Sequence, residues 1–263
     1  MIGKSNFIII TQPRSGSYFL QSLLDSADDI VCHGEIFKKE RVEIGKWHSK
    51  RLRIEEQDIA KRDSDAYGFV MGLRNLNPRK IFGFKAFWPH IIPHKILIKN
   101  IVNNSEWKKI FLYRNPLETY ASLLRAKETQ QWVQKISARK EARGKAEFVR
   151  VKFEEASFIR HLREFNAFLN KNSRIISTQP ECCFPVPYHE VLQQERQADI
   201  LRFLGSSAPV GTLQSAYKKQ FEGGLNEAFI NKGDVLAFLR KQGTEAMLHD
   251  RCDLRTLFVK ENI

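Results

Sequence analysis

The sequence predicts an α/β protein: three layers, with a central parallel β-sheet flanked by helices and a P-loop-like nucleotide-binding core. Three observations carry this. An uninterrupted apolar run, Phe7-Ile8-Ile9-Ile10, is followed by a tight loop and an amphipathic helix. A second short apolar run, Ile110-Phe111-Leu112-Tyr113, ends on Arg114 and leads into a capped helix. The chain has 263 residues, near the upper end for one hydrophobic core, and its hydrophobic fraction of 42% is enough to build that core.

The first run is β-branched and continuous, the pattern of a strand buried on both faces of a parallel sheet. Thr11-Gln12-Pro13 ends it, and from Ser17 the residues Leu20, Leu23, Leu24 and Ala27 follow the spacing of a helix with one buried face. The loop between them, Pro13-Arg14-Ser15-Gly16-Ser17-Tyr18, has anion-binding character. Gly16 lets the backbone approach an oxyanion, the first helix amides present the positive end of a dipole, and Arg14 adds a cationic fork. The pattern G-x-x-x-x-G-K-[ST] is absent and no lysine follows Gly16, so an ATPase or GTPase loses its main support. The alternative for this loop alone is an ordinary strand-to-helix turn with an incidental arginine.

The second run places Arg114 at a strand end, where open α/β sheets bind ligands. Asn115 suits a helix cap, Pro116 the first turn and Glu118 the capping-box position. Ser122 on that helix would offer a hydroxyl to the anion held by Arg114. The alternative is that Arg114 pairs with a neighbouring carboxylate. Further along, Phe158, Leu162, Phe165 and Leu169 recur at helical spacing and read as core.

The pair R-S-G-S near the start and R-N-P-x-x-x-x-x-S further on resembles the sulfotransferase family, whose donor is 3'-phosphoadenosine 5'-phosphosulfate. The resemblance implies that Arg14, Ser15, Gly16, Ser17 and Tyr18 cradle the 5'-phosphosulfate and that Arg114 and Ser122 grip the 3'-phosphate. Tyr18 stands where threonine is expected. His33-Gly34-Glu35 resembles the glutamate motif of bacterial and carbohydrate sulfotransferases, and Ile81-Phe82-Gly83-Phe84-Lys85 their next strand. Tyr188-His189-Glu190-x-Leu192 and Phe203-Leu204-Gly205 are similar to later landmarks, as is Asn231 to Leu236 to the closing helix. The likeness is nearest to nodulation-type and trehalose-type enzymes, which implies a carbohydrate or glycolipid acceptor hydroxyl.

Transfer to a hydroxyl requires a base. The resemblance implies Glu35; the competing candidates are His90, after the third strand, and His33. Arg14 would stabilise charge growing on the leaving 5'-phosphate, in a scheme that needs no metal. Lys85, Trp88 and His90 are candidates for acceptor binding, and Trp47 is another possible sugar platform. Residues 36–80 match no landmark and are expected to be an acceptor-binding insertion in a single domain spanning 1–263.

The formal net charge of +13 calls for an anionic partner. Basic stretches run from Lys38 to Arg53 and from Lys135 to Lys152, the second holding Arg139, Lys140 and Arg143 as either donor contacts or a solvated helix face. The same charge suits a nucleic-acid-binding module, but no zinc finger, RNA-recognition motif or basic zipper is present and acids are interspersed. A small-molecule kinase is the other rival. Cys32, Cys182, Cys183 and Cys252 form no C-x-x-C pair, which suits a reducing compartment. With a leading apolar run of four residues and no stretch of membrane-span length, we expect a cytoplasmic enzyme.

Overall fold

The computed structural model describes residues 5–78, 80–132, 149–217 and 225–249. Its strands are β1 (Asn6–Thr11), β2 (Ile30–His33), β3 (Ile81–Phe87), β4 (Trp107–Tyr113) and β5 (Cys183–Pro187). They form one parallel sheet in the order β2-β3-β1-β4-β5. The helices are α1 (Ser17–Asp25), α2 (Lys46–Leu52), α3 (Ile59–Ser64), α4 (Ala66–Asn75), α5 (Trp88–Ile91), α6 (Lys95–Leu97), α7 (Pro116–Thr129), α8 (Glu155–Thr178), α9 (Tyr188–Val191), α10 (Gln194–Leu204), α11 (Leu225–Ala228) and α12 (Lys232–Gln242).

Strand side chains alternate between faces, and both faces of β1 are buried. Ile8 and Ile10 join Phe82, Phe84 and Phe111 under α4, α7 and α8, while Phe7 and Ile9 join Ile110, Leu112 and Val186 under α1 and α10. The stripe Phe158, Leu162, Phe165 and Leu169 lies in the first of these cores.

The connections decide where a ligand belongs. From β1 the chain turns to α1 on one face; from the neighbouring β4 it turns to α7 on the other. Adjacent parallel strands whose exits part in this way open a crevice at their carboxyl ends. The Arg14 loop and Arg114 stand there.

Two features depart from pattern reading. β4 begins at Trp107 and includes Lys109, which is fully buried and would break any apolar run. Its ammonium donates to the Asn104 carbonyl at 2.6 Å, Gln179 Oε1 at 2.8 Å and Cys182 Sγ at 3.3 Å, so each of its three protons has an acceptor. β5 carries Pro185 and Pro187, which argue against a strand; it is tolerated at the sheet edge, where one side of the backbone needs no ladder partner.

Residues 36–80 form the crossover from β2 to β3. Ile36, Phe37, Val42, Ile54, Phe69, Val70 and Leu73 are buried in the larger core. Arg62, 2% exposed, donates to the carbonyls of Ile36, Lys38 and Arg41 at 3.3, 2.7 and 3.4 Å, pinning the loop that follows Glu35.

Candidate active site

The loop after β1 is built by two left-handed residues, Arg14 at φ +68° and Gly16 at φ +83°. For an arginine that conformation costs about 1–2 kcal/mol, and the surroundings hold it in place. Thr11 Oγ1 lies 2.5 Å from Ser15 Oγ and 3.0 Å from the Leu112 carbonyl, tying the loop to β4. Gly16 is required for a further reason: a Cβ there would stand 2.1 Å from the Tyr188 ring, so the loop rests on that ring. The sequence expectation that Gly16 serves oxyanion approach is thus supplemented by packing. Gly16 caps α1, and helix geometry leaves the amides of the first turn without intrahelical acceptors.

The two motifs meet. Arg14 Nε donates to Ser122 Oγ at 3.0 Å, and Arg114 Nη1 donates to the Arg14 carbonyl at 3.1 Å across 100 residues of chain. Arg14 Nη1 also donates to the Trp132 carbonyl. Arg114 holds both oxygens of Glu118, at 3.1 and 3.3 Å, and its guanidinium lies over the Tyr188 ring at 4.8 Å. Glu118 therefore pairs with Arg114 instead of serving in a capping box. The cap of α7 is Asn115, whose Oδ1 accepts from the Leu117 amide at 2.9 Å while its Nδ2 reaches the Met247 and His249 carbonyls.

Pattern reading did not select Arg125. It stands three residues after Ser122, on the same face of α7. Burial, followed by the charge of Arg114, pushes its pKa down to about 10; Arg14 is likewise pushed down to about 10 by burial, Arg114 and Arg125. Guanidinium groups that depress one another in this way form an electropositive corner suited to a phosphate. The helical period counted on from Ser122 is the signal that would have found it. Arg139, Lys140 and Arg143 lie outside the described residues.

On the β2 side a second corner forms. Glu35, 6% exposed, follows β2 directly, and Lys85, fully buried in β3, places its ammonium 2.9 Å from Glu35 Oε1. The same ammonium lies 3.2 Å from the centre of the Tyr18 ring, on the first turn of α1. Burial pulls the Lys85 pKa down and Glu35 opposes it; burial and then Glu35 push the Tyr18 phenol up. His90 stands on α5 beside Phe87, its pKa lowered by burial against the opposing charge of Glu35. His33 is buried against the His48 ring at 4.6 Å, and burial with that neighbour pushes its pKa down to about 3. Trp88 is buried and its indole N–H donates to Asn172 Oδ1 at 2.9 Å, a core placement; Trp47 is 51% exposed with Arg51 over its ring. Among the described residues no three His, Cys, Asp or Glu side chains gather as a metal site requires, and no helix is long and apolar enough to cross a membrane.

A parallel sheet with a glycine turn at its switch point and arginines converging from two strand exits defines a P-loop-like α/β fold. The chain belongs to the sulfotransferase family: residues 4–220 match the family's sulfotransferase domain. It is similar to nodulation protein H of Rhizobium tropici, with 26% identity over 130 residues that span 48% of each chain. The aligned stretch is thus about half the length of that relative. Among solved structures it resembles a sulfotransferase from Alicyclobacillus acidocaldarius, with TM-score 0.50 and 17% identity over 97% of this chain and 99% of that one. It also resembles the sulfotransferase domain of the Synechococcus PCC 7002 olefin synthase, with TM-score 0.50 and 12% identity over 97% and 93%. These two share the fold.

Proposed function

We propose that this chain is a sulfotransferase moving the sulfuryl group of 3'-phosphoadenosine 5'-phosphosulfate to an acceptor hydroxyl on a carbohydrate or glycolipid. The observation that supports it most is the contact of the two motifs, Arg14 with Ser122 and Arg114 with the Arg14 backbone. A nucleotide phosphorylated at both the 3' and 5' positions suits such a crevice, because the α1 amides and the guanidinium corner each present positive charge to one phosphate.

Sulfuryl transfer proceeds in line between two oxygens, so the protein's task is positioning and charge stabilisation. The acceptor hydroxyl attacks sulfur and Glu35 takes its proton, while the bond from sulfur to the bridging oxygen breaks and charge accumulates on the 5'-phosphate. The amides of Ser17 and Tyr18, with Arg14, bind that charge more tightly as it grows. In this scheme Ser15 holds the loop through Thr11. Lys85, 2.9 Å away, holds Glu35 in place, and His90 borders the acceptor. Residues 36–80 frame the acceptor side of one catalytic domain spanning 1–263. The scheme uses no metal, since guanidinium groups and amides supply the positive charge. A cytoplasmic setting is supported by the free thiols of Cys32, Cys182 and Cys183.

Calorimetry with adenosine 3',5'-bisphosphate against ATP, each with and without a chelator, tests the reading. We expect the bisphosphate to bind at least about tenfold tighter, a preference of about 1.4 kcal/mol, and the chelator to leave its affinity unchanged. Stronger binding of ATP that depends on magnesium would replace it with a kinase.

A further inference from the structure

Tyr18 occupies a position where the family resemblance leads to threonine, and a phenol is a large replacement at the first turn of a ligand-binding helix. Its surroundings are specific. The ring face receives the Lys85 ammonium at 3.2 Å, closer than an ordinary cation–π contact, and Tyr217 packs on the ring at 5.3 Å. Lys85 has no solvent exposure, and Glu35 stands 2.9 Å from it. Tyr18 thus covers Lys85, the cation 2.9 Å from Glu35, while its own backbone belongs to the α1 turn.

We propose that Tyr18 is a positioning residue that couples the donor loop to the base: its ring closes over Lys85 and its phenol lies against Glu35. The Glu35–Lys85 pair is then dry and aimed only while the first turn of α1 is in place. The inference rests on the reading of Glu35 as the base. A desolvated ammonium–carboxylate pair attracts more strongly than an exposed one, so it fixes the direction of the carboxylate. The groups facing this pair from the packed elements are Tyr18 on α1, Cys32 on β2 beside Lys85, and His90 on α5 beside Glu35. Glu43 bears on Tyr18 and Lys85, and Glu40 and Arg62 on His90.

Two variants of the full chain separate the ring from the phenol: Tyr18→Phe keeps the cover over Lys85, and Tyr18→Thr removes it. Reductive methylation followed by peptide mass spectrometry reports the exposure of Lys85. We expect Lys85 to react at least about tenfold faster in Tyr18→Thr than in the parent, and Tyr18→Phe to remain protected. Phosphosulfate turnover with water as acceptor reports the base. In Tyr18→Thr we expect kcat to fall about tenfold with KM for the donor within about twofold, because Tyr18 meets the donor through its amide alone. Equal methylation of Lys85 in all three proteins overturns the proposal. So does a loss of turnover in Tyr18→Thr carried wholly by KM, which would make Tyr18 a donor contact. Should the parent fail to bind adenosine 3',5'-bisphosphate, the sulfotransferase reading falls, and methylation still decides whether Tyr18 shields Lys85.

Discussion

The two corners of the crevice differ in how their charge is balanced. At the α7 side Arg14, Arg114 and Arg125 converge, and Glu118 accepts from Arg114. At the β2 side one buried lysine meets one buried glutamate at 2.9 Å under an aromatic ring. The first corner gathers guanidinium groups from the loop after β1, the end of β4 and α7. The second pairs its carboxylate with a buried ammonium inside the protein. Under the proposed function, the donor contacts gather at the first corner and the base stands at the second.

The comparison predicts a separation of effects that mutations can break or sharpen. The largest effect is expected on chemistry: Glu35→Gln lowers turnover of the phosphosulfate by about 100-fold to 10,000-fold, the range of general-base removal, while bisphosphate affinity measured by calorimetry shifts less than about threefold. A loss of affinity as large as the loss of rate would dissolve the distinction between the corners. Next, Arg114→Ala weakens the bisphosphate by about 100-fold, from the loss of charge-assisted hydrogen bonds and of the loop contact to the Arg14 carbonyl. Arg125→Ala is the sharper test because its side chain is one that pattern reading passed over. It weakens the bisphosphate about fivefold to tenfold and flattens the salt dependence of binding, whereas Arg125→Lys recovers part of the loss.

The smallest effect concerns stability beneath the β2 corner. His33 is buried, and its folded pKa of about 3 lies below the 6.5 of a free histidine. The unfolded chain therefore takes up a proton that the folded chain refuses. The stability tied to this residue is complete above about pH 6.5 and is lost as the pH falls toward 3. Urea unfolding at successive pH values should show the midpoint declining over that window, and His33→Gln should flatten the decline. An unchanged slope in the variant would assign the acid sensitivity elsewhere, with His161, pushed down to about 4 by burial, the next residue to test.

Local pattern was enough wherever a residue's role depends on its neighbours in sequence. The β-branched run before the loop, the apolar face of α1, and the Asn115 and Pro116 start of α7 were all legible. So was the stripe of α8, because burial on one helix face leaves a period. The reading failed where long-range partners reverse a local preference. Lys109 sits inside a strand because Asn104, Gln179 and Cys182 meet its protons, and no window around residue 109 contains the last two. β5 was missed because Pro185 and Pro187 are strand breakers everywhere except at an edge, and edge position is a property of the sheet. Glu118 looked like a cap because it stands three residues after Asn115, yet a guanidinium delivered by the end of β4 captures it.

By itself the sequence determined the class of fold, the two motifs around Arg14 and Arg114 and the order in which they occur, because strands, turns and helix starts are written in short-range stereochemistry. Only the tertiary structure decided that Arg14 reaches Ser122, that Arg125 joins them, and that Tyr18 covers the Lys85 paired with Glu35. The physical reason is that electrostatic strength depends on distance and burial. Both are set when β1, β3 and β4 align in parallel and bring residues a hundred positions apart into contact.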